Sequence, residues 1–81
     1  MHTFPNEVVD VTVDFSGNLV RPCAVRFAGH FYPITKVGLV KASTEGARKI
    51  FYFSVSDPAN FFKLRFDAET LEWRLMETYA Q

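Results

Sequence analysis

Two aromatic runs, Phe51-Tyr52-Phe53-Ser54-Val55-Ser56 and Phe61-Phe62-Lys63-Leu64-Arg65-Phe66, flank the turn-forming tetrad Asp57-Pro58-Ala59-Asn60. Proline is pre-set for the first central position of a type I turn, so the tetrad predicts a four-residue hairpin loop. That loop fixes which residues oppose one another. Val55 meets Phe62, Phe53 meets Leu64 and Phe51 meets Phe66, an unbroken apolar face. The other face pairs Ser54 with Lys63 and Tyr52 with Arg65. A slip of one residue would reverse every side chain and spoil both faces at once.

The rest of the chain follows the same grammar. Turn formers at Ser16-Gly17-Asn18, Ala28-Gly29-His30, Ser43 to Ala47 and Asp67 to Thr70 separate short runs rich in Val, Phe, Tyr and Ile, the mark of an antiparallel meander. In Val8 to Phe15, Val9, Val11, Val13 and Phe15 share one face and Asp10, Thr12 and Asp14 the other, which predicts a half-buried strand. Leu19 to Phe27 contains Pro22, which donates no ladder hydrogen bond, so the strand is expected at an edge or bulged there. Cys23 shares the parity of Leu19, Val25 and Phe27 and is expected on the apolar face. Phe31 to Ala42 is long and holds Pro33 and Gly38, so a kink or bulge is expected at one of them.

The last segment admits two readings. Ala68, Leu71, Glu72, Leu75, Met76 and Tyr79 fall at helical spacing behind an Asp67 N-cap, but Leu71, Trp73 and Leu75 recur at period two and continue the aromatic face of the hairpin. The second pattern is preferred. With Asp67 to Thr70 as a four-residue loop, Leu64 would oppose Trp73, Phe62 would oppose Leu75, and Arg65 would oppose Glu72 in an outward row with Tyr52. The expected fold is therefore all-β: one domain over residues 1–81, a strongly curved antiparallel meander of five or six strands forming a half-barrel or small barrel. The alternative is α+β, with a C-terminal helix over residues 68–79 lying across the sheet.

The sequence Val25-Arg26-Phe27-Ala28-Gly29-His30-Phe31-Tyr32, followed by Phe62 to Asp67 and then Trp73-Arg74-Leu75, resembles small uncharacterised bacterial β-domains with an aromatic-Gly-basic-x-Tyr hairpin and a closing Trp-x-Leu strand. His30 stands where those domains carry Arg, and Leu71 where a turn Gly is usual. The resemblance implies a strongly bent antiparallel sheet and assigns no catalytic or binding residue.

Composition narrows the chemistry. Hydrophobic residues make up 48% of the chain with no net charge, which argues against intrinsic disorder, and no apolar run approaches the roughly 20 residues that cross a bilayer. The first twenty residues hold Glu7, Asp10 and Asp14 and no Lys or Arg, unlike a signal peptide, so a cytoplasmic location is expected, in keeping with a single Cys. His2, His30 and Cys23 have no metal-ligand spacing, and there is no phosphate-binding glycine loop or nucleophile elbow. No enzyme activity, metal or cofactor is expected.

Two features rise above background. Residues 1–20 carry a charge of −3, residues 21–65 of +6 and residues 66–81 of −3, and the basic middle interleaves with aromatics. Adjacent aromatics, as in Phe31-Tyr32, Phe51-Tyr52-Phe53 and Phe61-Phe62, must also send one member to the face away from the core. Tyr32, Tyr52, Phe61, Lys63 and Arg65 are therefore the candidate binding face. The expected function is a small non-catalytic binding or protein-interaction module that self-associates as a homodimer. The alternative is a single-stranded nucleic-acid-binding small β-barrel, which would use stacking and phosphate contacts.

Overall fold

The computed structural model describes residues 2–81, and among them every regular element is a strand. The strands are β1 (His2–Thr3), β2 (Glu7–Val8), β3 (Asp10–Ser16), β4 (Leu19–Phe27), β5 (His30–Pro33), β6 (Lys36–Glu45), β7 (Arg48–Ser56), β8 (Asn60–Asp67) and β9 (Glu72–Ala80). All pairings are antiparallel, as expected, but the strands divide into two sheets that do not close into a barrel. One sheet has the order β1-β9-β8-β7-β6, with β2 also paired to β9, and the other has the order β3-β4-β5. The division falls at Pro33-Ile34-Thr35, where the long third run breaks and the chain crosses between sheets. Ile34 N–H donates to the Cys23 carbonyl in one sheet and Thr35 N–H to the Ser56 carbonyl in the other, so the crossing leaves neither amide unpaired.

The hairpin register predicted from sequence is the observed one: Phe51↔Phe66, Tyr52↔Arg65, Phe53↔Leu64, Ser54↔Lys63 and Val55↔Phe62. Its apolar face supplies most of the core, in which Phe53, Val55, Phe62, Leu64, Phe66, Trp73 and Leu75 meet Val9 and Val25. The three-stranded sheet covers that face, with Val11, Val13, Val20, Phe27 and Tyr32 packed against it. The total exposed surface, 5268 Å², matches the roughly 5,000 Å² that area scaling gives a folded chain of this mass.

Residues 72–80 form a strand, so the helical alternative for residues 68–79 is not adopted. Its register differs from expectation by two residues at Leu64 to Asp67 and by three beyond the bulge at Lys63/Leu64, where Phe62 opposes Thr78 and not Leu75. Leu64 opposes Leu75, Phe66 opposes Trp73 and Arg65 opposes Arg74, while Glu72 pairs with Asp67. The cause lies in Asp67, which belongs to the strand rather than the loop. Its side chain accepts the N–H groups of Glu69 at 2.9 Å and Thr70 at 3.3 Å, and its carbonyl accepts that of Leu71, so the loop is Ala68 to Leu71. The outward row of Tyr52, Arg65 and Glu72 is thus corrected: Glu72 bonds Arg74, and Arg65 takes a different carboxylate.

This loop holds Leu71 at φ 62° with 69% of its surface exposed. A side chain there clashes with its own carbonyl at a cost of about 1–2 kcal/mol, and glycine escapes the clash while making the unfolded chain more flexible. Leu71→Gly is expected to stabilise the protein by roughly 0.5–1 kcal/mol, read as a higher urea midpoint. A lower midpoint would show that Leu71 makes a contact that outweighs its backbone strain.

Bulges account for the remaining departures. Between β3 and β4 the register shifts at Thr12/Val13, leaving Cys23 as the extra residue. Parity reverses there, so Val20 packs on the core while Leu19 is exposed, and Cys23 does not share one face with Leu19, Val25 and Phe27. A second bulge, between Val37 and Val40, sets Gly38 and Leu39 against Ser54. A Cβ at Gly38 would lie 3.3 Å from the Ser54 carbonyl oxygen, a close contact that a side chain could take only if the backbone moved by a few tenths of an ångström.

Candidate functional site

Alternation along β7 and β8 places Tyr52, Phe61, Lys63 and Arg65 together on the outer face of the six-stranded sheet, away from the second sheet. Tyr32 is elsewhere. On β5 it opposes the fully buried Val25 of β4, and its ring centre lies 5.1 Å from that of Phe62, between the sheets. Its neighbour Phe31 takes the solvent side.

Three residues join the face that the sequence did not single out. A bulge between Lys63 and Leu64 leaves Met76 unopposed and turns Glu77 and Tyr79 to the outer side, although period two from Trp73 and Leu75 would send them inward. Tyr79 stacks on Phe61 with ring centres 4.7 Å apart. His2 meets Tyr79 edge-on at 5.0 Å, and its Nε2 lies 3.0 Å from a Glu77 carboxylate oxygen. Glu45, the last residue of β6, is the third.

Glu45 organises the middle of the face. Arg65 donates to its Oε1 at 2.9 Å and the Tyr52 hydroxyl to its Oε2 at 2.8 Å. Both bonds favour the carboxylate, Arg65 most, and hold the Glu45 pKa below its ordinary value against a smaller opposing effect of desolvation. Lys63 Nζ stands 5.5 Å from the centre of the Tyr52 ring, a cation–π distance. Between Leu39 and Lys41 on one side and Phe61 and Glu77 on the other lies an open groove of about 430 Å³ floored by Tyr52, Ser54 and Lys63.

Asp67, beyond this groove, is the buried acid of the core cluster's edge. Burial opposes its ionisation, but the Glu69 N–H, the Arg48 guanidinium at 2.7 Å and the Thr70 N–H outweigh it and leave the pKa lowered. A folded-state pKa below the unfolded value stabilises the protein above the unfolded pKa, and that contribution is lost as pH falls through the folded one. Thermal stability is therefore expected to be flat near neutrality and to fall from about pH 4 downward. Asp67→Asn and Glu45→Gln should each reduce that acid-side slope. An unchanged profile in both would mean that neither carboxylate is held ionised by the fold.

The face offers ring surfaces, the Lys41 and Lys63 ammonium groups, the latter over the Tyr52 ring, and two carboxylates already engaged, Glu45 by Arg65 and Tyr52 and Glu77 by His2. Among the described residues no group of three or more His, Cys, Asp or Glu side chains is placed to hold a metal ion, and no helix is long and apolar enough to cross a membrane. Comparison with protein-family models, with curated proteins and with solved structures finds no match.

Proposed function

We propose that this chain is a non-catalytic protein-interaction module that works as a homodimer in the cytoplasm. The observation that carries the reading is exposed apolar surface: among the described residues, eight large apolar side chains leave half or more of their area in water, with Leu19 at 71% and Leu39 at 64%. Scattered apolar residues are ordinary, but Leu19 and Val40 line one apolar slot and Val8, Phe15 and Leu71 line a second, both opening between the two sheets. A second copy covers the slot at Leu19 and Val40, which borders β6, and two-fold dimers are the commonest closed assembly. Cys23 is a free thiol, which suits a reducing compartment.

Light scattering at micromolar concentration is expected to give twice the 9.3 kDa chain mass, with an interface burying more than about 1,000 Å² in total. A mass of one chain across that range would overturn the proposal.

A specific observation favours a second reading, the single-stranded nucleic-acid binder: Tyr52 and Phe61 share the groove with Lys41 and Lys63. It is the weaker one. Arg65 is neutralised by Glu45, Phe61 already stacks on Tyr79, and Glu77 stands in the groove wall. Two lysines on phosphates would give a salt slope near −1.4 for a labelled oligonucleotide. Micromolar binding with that slope would move the assignment to nucleic acid.

A further inference from the structure

The six-stranded sheet ends on β6, whose outer edge has no strand beside it among the described residues. After the Gly38-Leu39 bulge the strand runs regularly from Val40 to Glu45, and all six residues except Ser43 are exposed. The hairpin that follows fixes which backbone groups this edge offers. Gly46-Ala47 is a two-residue loop with Gly46 at φ 66°, closed by Glu45↔Arg48, and the closing pair of such a loop exchanges both hydrogen bonds. Glu45, Ser43 and Lys41 therefore direct N–H and C=O toward β7. Val40, Ala42 and Thr44 direct theirs outward.

Resting on the self-association reading, we propose that the second copy docks by pairing its β6 with this β6, antiparallel, about a two-fold axis through Ser43. Charge selects that register. An axis perpendicular to the sheet brings residues of like parity together, so the centre must fall on a residue. Centred on Lys41, the pairing sets two lysines face to face; centred on Ala42, it sets Leu39 against Glu45. Centred on Ser43, it sets Lys41 against Glu45 of the partner subunit, twice by symmetry, with the small Ser43 side chains meeting on the axis. Ala42 and Thr44 then exchange their free backbone bonds across the axis.

The fold prepares Glu45 for this. Arg65 and Tyr52 hold its carboxylate in place, yet its side chain keeps 44% of its exposure, enough to receive a further cation. An edge lysine is ordinarily a device against strand pairing. Here Lys41 blocks any neighbouring strand that brings no carboxylate to the same level, and so selects its own copy. Pairing would double the six-stranded sheet and bring both outer grooves onto one side of the dimer.

The test uses the full chain at micromolar concentration, with circular dichroism to confirm the fold of each variant. Lys41→Glu and Glu45→Lys each place like charges together twice and are expected to weaken the dimer at least about tenfold. Mixing the two variants places opposite charges at both positions and should restore a dimer of one chain of each. In a Cys23→Ser background, Ser43→Cys should form a covalent dimer on mild oxidation, because residues opposed on the axis without a hydrogen bond lie about 4.5 Å apart, within disulfide reach. Lys41→Cys should not, since it faces residue 45. The crosslink decides the matter if Glu45→Lys loses its fold. A wild-type dimer whose mass Lys41→Glu leaves unchanged and which Ser43→Cys fails to crosslink overturns the β6 pairing while self-association stands. A wild-type chain that scatters as a monomer overturns both.

Discussion

Phe53→Ala is expected to cost about 3–5 kcal/mol of stability, the usual range for truncating a buried ring. Phe53 is 2% exposed, opposes Leu64 in the hairpin and lies 5.3 Å ring to ring from Trp73, which itself lies 4.6 Å from Phe66. Strands on both sides hold these neighbours in place, so they cannot collapse into the space left behind. For a chain of 81 residues, whose net stability is of the order of 5–10 kcal/mol, the loss is a large part of the whole. Urea unfolding followed by tryptophan fluorescence reads it directly through Trp73. A cost below about 1 kcal/mol would place Phe53 outside the core.

Val25→Asp should be at least as damaging, because it tests whether the three-stranded sheet is part of the core or an accessory to it. Val25 is fully buried between Val11 and Tyr32 at the centre of that sheet and faces the larger one. A carboxylate there has no cation or donor within the apolar cluster, and burying it unpaired costs several kcal/mol. Loss of the cooperative fold at neutral pH is expected. Arg26→Gln, one residue along and exposed, should stay within about 0.5 kcal/mol of wild type. If Val25→Asp leaves the larger sheet folded with its urea transition unchanged, the smaller sheet contributes nothing to the core.

The contrast between these adjacent positions shows how far alternation carries and where it stops. In β7 and β8 the sequence is enough: Asp57-Pro58-Ala59-Asn60 fixes the loop, the Asp57 carboxylate accepts the Ala59 and Asn60 N–H groups, and the two faces differ so sharply that only one register serves. The same logic picked strand over helix for residues 72–80 and four of the five candidate face residues, Tyr52, Phe61, Lys63 and Arg65.

What the pattern left open was whatever preserves parity or breaks it once. A shift of two residues, as from Glu72 to Leu75 in β9, leaves those side chains on their own faces, so hydrophobic alternation is blind to it; the hydrogen bonds Asp67 makes to its own loop decide it instead. A bulge reverses parity, and residue type announces only some of them: Pro22 marks the one beside it and Gly38 its own, as expected, but nothing marks the one at Met76. The bulge at Met76 brings Glu77 and Tyr79 to the outer face, and that at Cys23 exchanges Leu19 for Val20. Whether Tyr32 or Phe31 entered the interior depended on which face of β4 and β5 the larger sheet would cover, a long-range fact. Local sequence determined the all-β character, the central hairpin and its two faces, because neighbouring residues and one loop suffice to set them. The division into two sheets, the register of the last strand and the final membership of the outer face were decided by tertiary structure, because each depends on hydrogen bonds and packing between segments the chain brings together only when folded.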